Sequence, residues 1–129
     1  MIIDTSAIIA ILAAEPEADR FTLAIVTNDV KTSAASFLEA ALVLDRRGSA
    51  ELSAELDRFL GWARASIEPV TATQARIARR AYRQFGRGSG HPARLNFGDC
   101  FSYALSKETA EPLLFKGTDF AHTDVLVAA

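Results

Sequence analysis

Apolar and polar positions along this chain follow two rhythms, and their succession predicts strands separated by helices. Residues 1–4, Met-Ile-Ile-Asp, open with β-branched residues and read as a short strand. Thr5 or Ser6 then caps a helix through the apolar run 7–14. Glu15-Pro16-Glu17 starts a second helix, because proline suits a first turn and acids suit the positive end of the helix dipole. Asn28-Asp29 ends it, and residues 30–32 predict a second strand. Ser33 or Ser36 opens a third helix, which runs to Arg46-Arg47 and stops at Gly48. That helix is apolar on most sides, which predicts burial. Residues 50–65 place Leu52, Leu56, Phe59, Leu60 and Ala63 on one helical face. A strand at 67–70 and a helix from Thr71 or Thr73 to about Phe85 follow. Then come a glycine-rich loop at 86–92, a helix at 97–107 capped by Asn96, a strand at 113–115, a loop at 117–123 and a last strand at 125–127. Strands alternating with helices imply the α/β class: a three-layer α/β/α sandwich around a central, mostly parallel sheet of four to five strands. With 129 residues and no linker or repeat, residues 1–129 read as a single domain. A chain of that size buries roughly two-thirds of its unfolded surface.

Four acids interrupt apolar stretches of this pattern. They are Asp4 in Met-Ile-Ile-Asp, Glu39 in Ser-Phe-Leu-Glu-Ala-Ala-Leu, Asp99 in Leu-Asn-Phe-Gly-Asp-Cys-Phe and Asp119 in Leu-Leu-Phe-Lys-Gly-Thr-Asp-Phe. An ionised carboxylate taken out of water is costly unless a cation or hydrogen bonds compensate. Open parallel sheets bind ligands beyond the C-terminal ends of their strands. Asp4 ends one strand and Asp119 follows another by a few residues. Glu39 and Asp99 lie near the beginnings of helices, so all four can meet at one edge of the sheet. Singly, each has a plainer explanation. Asp4 could cap the first helix, Asp99 could favour its helix dipole, and Asp119 could be a turn residue. Glu39, inside a helix among apolar neighbours, is the hardest to explain that way. Together the four predict an oxygen-only site for a hard metal ion, Mg2+ with Mn2+ as a substitute. A carboxylate-held metal is a standard means of hydrolysing a phosphodiester. Thr5, Ser6 and Thr118 stand beside these acids and could orient carboxylates or water, with helix capping the equal alternative. Glu15, Glu17, Glu51, Glu55 and Asp57 read as solvated. His91 and His122 fall in loop-like segments and read as surface residues.

Composition narrows the partners. Half of the residues are hydrophobic, which argues against global disorder. The single cysteine, Cys100, excludes an intramolecular disulfide and a cysteine-rich zinc site, and reads as a small buried apolar residue. Neither a signal peptide nor an apolar run of ~18 residues is visible, so the expectation is a cytoplasmic protein with no membrane partner. The net charge of −2 argues against nucleic acid, but its distribution does not. Residues 69–98 hold six arginines and no acid, leaving −8 for the remainder. Arg76, Arg79, Arg80 and Arg83 are spaced to share one helical face, and Arg87 and Arg94 continue the charge toward Asp99. The arginine fork binds phosphate oxygens in pairs. This stripe, joined by Lys116 near Asp119, is a candidate nucleic-acid-guiding surface; a solvated face or the dock of an acidic partner segment are the alternatives. Some of Phe21, Phe37, Phe59 and Trp62 could line a partner seam, core packing being the commoner fate.

The motifs around the four acids resemble those of PIN domains. More closely, the chain is similar to VapC ribonuclease toxins of bacterial type II toxin–antitoxin pairs, and the resemblance covers nearly its whole length. It implies an α/β/α sandwich and a Mg2+- or Mn2+-dependent endoribonuclease, a hydrolase of RNA phosphodiester bonds. It also implies a homodimer and a cognate VapB-like antitoxin, with RNA, transfer RNA among the candidates, as substrate. Asp4, Glu39 and Asp99 match the first three acids of the pattern. Many relatives place two acids close together after the last main strand, where this chain reads Gly117-Thr118-Asp119. Asp119 is therefore taken as the fourth, with Asp124 a weaker candidate. The rival readings are a catalytically inactive RNA- or partner-binding relative, and a phosphatase using Asp4 as nucleophile. The second would need an acid at position 6, which is Ser6.

Overall fold

The computed structural model describes residues 1–48 and 50–129. Four strands, β1 (Ile2–Ile3), β2 (Lys31–Ser33), β3 (Ser66–Glu68) and β4 (Leu113–Leu114), form one parallel sheet in the order β3-β2-β1-β4. Ile2 is in register with Lys31 on one side and Leu113 on the other, so β1 is a central strand. Successive side chains of a strand point to opposite faces. Ile3 and Leu114 therefore face one core, with α1 (Thr5–Leu12), α2 (Ala18–Val26), α3 (Ala34–Arg46) and α4 (Ala50–Trp62). Ile2 and Leu113 face a second core, with α5 (Ala72–Phe85) and α6 (Phe97–Thr109). All four of these side chains are fully buried, and each such burial contributes roughly 1.5–3 kcal/mol. The result is the three-layer α/β/α sandwich expected, with four parallel strands. Residues 125–127 supply only a single bridge, Leu113 with Val127, rather than a fifth strand.

Helix starts follow local chemistry. Asp4, not Thr5 or Ser6, caps α1 by accepting the Ser6 N–H at 2.9 Å. Ser33 caps α3 through the Ala35 N–H, and Thr71 caps α5 through the Gln74 N–H. Asn96 opens α6 in a reciprocal capping box with Asp99. The expectation that α3 is buried on most sides is corrected: it turns Ser36, Ala40 and Leu44 inward, while Leu38 and Leu42 remain exposed. Phe21 and Phe59 are core residues, Phe37 packs against the core, and Trp62 is exposed. Cys100 is buried in the second core, and burial with the nearby Asp99 charge pushes its thiol up to about 11, consistent with an inert apolar role.

Candidate active site

The chain leaves the central strand directly into Asp4, which is 3% exposed. Its Oδ2 accepts the Ser6 N–H at 2.9 Å and the Ser6 hydroxyl at 2.7 Å. Its Oδ1 accepts the hydroxyl of Ser102 at 2.5 Å, from α6 and 98 residues away in sequence. Ser102 Oγ lies 3.0 Å from Ser36 Oγ on α3. A serine has one hydroxyl proton, and that of Ser102 is committed to Asp4, so Ser36 donates to Ser102. Thr5 completes the chain by donating to the Ser36 carbonyl at 3.1 Å. A buried carboxylate is thus held by two hydroxyls and a backbone N–H, and α1, α3 and α6 are tied together beyond the end of β1. Ser102 escaped the sequence reading, and Ser36 entered it only as an alternative helix cap. The available signal was periodicity, since Ser102 lies one turn after Asp99 and so shares its helical face.

Asp99 sits in the first turn of α6, where its Oδ2 accepts the Asn96 N–H at 2.9 Å while Asn96 Oδ1 accepts the Asp99 N–H at 2.8 Å. Its pKa is pushed up to about 6. Burial is the main cause; the hydrogen bond from the Asn96 backbone opposes it, and the negative charges of Asp4, Asp119 and Glu39 add to it. Asp99 therefore lies within the electrostatic field of the other three acids named from sequence. Glu39 is half-buried in α3 and its carboxylate lies against Gly98 of α6. Asp119 is exposed in the loop after β4, just before a short 3-10 helix (Phe120–His122), and makes no capping hydrogen bond. Among the described residues, none of the four acids forms an ion pair. Nor do any three histidine, cysteine, aspartate or glutamate side chains among the described residues close into a ready-made metal cage. What is present is an all-oxygen donor set with uncompensated mutual repulsion. That chemistry fits a hard divalent cation whose shell is completed by water, and disfavours a soft metal.

The remaining residues singled out divide clearly. Ser6, besides holding Asp4, accepts the Lys116 N–H at 3.0 Å, so it links the loop after β4 to the central acid. Thr118 is exposed and makes no side-chain hydrogen bond among the described residues; its carbonyl accepts the Ala121 N–H. Glu15 and Glu17, read as solvated, are half-buried and paired with the Lys116 ammonium. Lys116 is thereby engaged within the protein, unlike the arginines. Asp124 accepts the Tyr103 hydroxyl at 2.6 Å and pairs with Lys107 at 3.0 Å. Burial pushes its pKa up, but these two partners outweigh that and hold it below the usual carboxylate range. Asp124 thus braces the C-terminal segment on α6 instead of joining the acidic cluster. His91, read as a surface residue, is half-buried: its ring meets Phe85 edge-on and its Nδ1 accepts the Ala93 N–H at 3.1 Å. His122 is exposed.

Arg76, Arg79, Arg80, Arg83, Arg87 and Arg94 are all exposed, and none is in an ion pair among the described residues. The helix that carries the first four, α5, packs along α6. A cleft of about 380 Å3 between these helices is lined by Arg79, Tyr82, Phe97 and Phe101. Phe97 and Phe101 also line a second cleft, about 410 Å3, that reaches Leu38, Glu39 and Gly98. Arg79 of the stripe and Glu39 of the acids are consequently linked along one surface through Phe97 and Phe101.

The PIN domain family model matches residues 1–126. Ribonuclease VapC28 of Mycobacterium tuberculosis is 56% identical over 126 residues, which cover 97% of this chain and 95% of that protein. Ribonuclease VapC42 of the same species is 48% identical, over 97% of this chain and 96% of that protein. Among solved structures, Mycobacterium tuberculosis VapC20, described as a sarcin-ricin loop cleaving toxin, superposes with a TM-score of 0.75 at 18% identity, covering 97% of this chain and 95% of that one. A toxin-antitoxin complex from Klebsiella pneumoniae gives a TM-score of 0.72 at 16% identity, covering 98% and 95%. At those identities the structures speak for the fold, while the family model and the curated relatives speak for kinship: this chain belongs to the PIN-domain family.

Proposed function

We propose that this protein is an endoribonuclease toxin of the VapC kind, hydrolysing RNA phosphodiester bonds and neutralised by a cognate VapB-like antitoxin. The observation that carries the reading is the convergence of Asp4, Glu39, Asp99 and Asp119 from four segments on one uncompensated acidic site, in a chain 56% identical to a ribonuclease. PIN-domain nucleases of this kind generally depend on a divalent metal, and the four acids would hold it here, Mg2+ with Mn2+ as a substitute. When bound, the cation would acidify water and offset charge building on the phosphoryl oxygens. The chain's own residues prepare for that. Ser102 and Ser6 fix both oxygens of Asp4, Asn96 fixes one oxygen of Asp99, and no histidine or serine nucleophile is required. Thr118, whose hydroxyl makes no hydrogen bond among the described residues, would orient water beside the acids. The six arginines guide the RNA backbone along the clefts toward the site, positioning phosphates without reading sequence. RNA of folded shape, transfer RNA included, is the substrate class. The protein acts in the cytoplasm as a homodimer.

The test is cleavage of labelled total bacterial RNA by the purified chain with Mg2+, Mn2+ or EDTA, alongside Asp99→Asn. Discrete fragments that require metal and vanish in the variant are expected. Absence of cleavage by folded, antitoxin-free protein would overturn the nuclease and favour an RNA- or partner-binding relative. Arg79→Glu with Arg83→Glu is expected to weaken RNA binding and flatten its salt dependence; unchanged affinity would remove the guiding role.

A further inference from the structure

Gly98 is the second residue of α6, and its backbone does not explain why it is glycine. Its φ is not positive, so any residue could adopt this conformation, and glycine in a helix is less favourable than alanine. The space explains it. A Cβ built at Gly98 would stand 2.2 Å from Glu39 Oε2, 2.9 Å from its Cδ and 3.0 Å from its Oε1. The whole carboxylate of Glu39 occupies the volume that a side chain at position 98 would claim. Real Cβ atoms essentially never come that close to another heavy atom. The blocked atoms are the far end of a flexible side chain, so the fold would survive and Glu39 would be the part to move.

We propose that Gly98 is a positioning residue: its missing side chain lets Glu39 of α3 lie on the first turn of α6, one residue from Asp99. It completes the acidic site without touching substrate. This rests on the reading of the four acids as one metal-assisted hydrolytic site. It also accounts for the Phe-Gly-Asp-Cys sequence, in which the acid is the visible chemistry and the glycine supplies the room for its partner from another helix.

A double-mutant cycle tests it, with calorimetric titration by Mn2+ alone and RNA cleavage as separate readouts on wild type, Gly98→Ala, Glu39→Ala and the double variant. Gly98→Ala is expected to weaken Mn2+ binding and kcat by about 10- to 100-fold, the range usual for residues that orient ligands. Its Tm should not fall, because alanine is the better helix former. In the Glu39→Ala background, Gly98→Ala should change Mn2+ affinity and kcat by no more than about twofold, because the carboxylate it displaces is gone. Equal losses in both backgrounds, or an unchanged Mn2+ affinity in Gly98→Ala alone, would overturn the proposal. Should Gly98→Ala unfold, the cycle moves to Glu39→Asp, whose shorter side chain stops short of position 98. Unfolding or an equal penalty there overturns it as well, and a folded, near-neutral double variant supports it. A wild-type protein that binds Mn2+ in a Glu39-dependent way yet cuts no RNA would defeat the nuclease reading and leave the Gly98–Glu39 geometry standing.

Discussion

Asp4 and Asp119 follow neighbouring parallel strands, and the molecule treats them in opposite ways. Asp4 is buried, follows the central strand without a spacer, and has both oxygens held by Ser6 and Ser102. Asp119 stands five residues beyond β4, exposed, with no capping hydrogen bond. Both nevertheless raise the pKa of Asp99 through their charge. The contrast separates two jobs within one cluster. An acid that anchors a site needs its geometry fixed by neighbours, and the cost of burying it is met by hydrogen bonds to its charged form. An acid that can approach and withdraw needs solvent and a loop. Asp99 lies between these extremes, half-buried and pinned on one side by Asn96.

The largest expected effect comes from breaking the anchored end. Asp4→Asn should lower RNA cleavage by more than the ~100-fold usual when an orienting neighbour is lost. It should also lower stability by about 1–3 kcal/mol, because one acceptor oxygen becomes an NH2 that donates, so a group that now donates to Asp4 loses its acceptor. Asp119→Asn should weaken Mn2+ binding yet leave stability within about 0.5 kcal/mol, as for other exposed substitutions. Paired thermal melts decide: if both variants melt alike, the anchored-versus-free distinction is broken. Ser102→Ala sharpens the comparison. Removing the donor to Asp4 should cost about 1–3 kcal/mol and reduce cleavage by roughly 10- to 100-fold, read from denaturant unfolding and from initial rates. A Ser102→Ala enzyme with full activity would show that the hydroxyl chain serves folding alone.

A smaller effect tests the raised pKa of Asp99. The folded-state pKa of Asp99, about 6, lies above its ordinary 3.8. The folded state binds this proton more tightly than the unfolded state does. The stabilisation is thus fully present below about pH 4 and is lost as pH rises through 6. Metal-free protein should gain at most about 1 kcal/mol on going from pH 7 to pH 5 once solvent screening is allowed for, and Asp99→Asn should remove that gain. An identical pH slope in the variant would mean that Asp99 is not the group whose proton affinity rises on folding. The smallest effect belongs to Asp124→Asn, which should leave cleavage and Mn2+ affinity unchanged and cost under about 1 kcal/mol through Tyr103 and Lys107. A loss of Mn2+ affinity there would bring Asp124 back into the acidic site.

Much of this was legible in the chain. The strands and helices announced themselves through Ile2-Ile3, Leu113-Leu114 and the capping residues Ser33, Thr71 and Asn96, because short-range sterics and hydrogen bonding decide them. The four acids stood out because each broke an apolar stretch. The misreadings share a cause. Glu15, Glu17 and Lys116 looked solvated or RNA-facing, but their pairing joins segments about a hundred residues apart. Asp124 looked like a reserve ligand until Tyr103 and Lys107 of α6 claimed it. His91 looked like a surface residue until Phe85 packed against it.

The sequence by itself determined the order of the main strands and helices, the parallel α/β architecture and which acids interrupt apolar stretches, all of which rest on local periodicity and on the cost of placing charge among apolar neighbours. Only the tertiary structure decided how those acids are held. The Ser36–Ser102–Asp4 hydroxyl chain, the space at Gly98 filled by Glu39, and the exposure of Asp119 each depend on which side chains from distant segments come within a few ångströms. Close packing and short-range hydrogen bonds act at that distance, and no spacing along the chain records it.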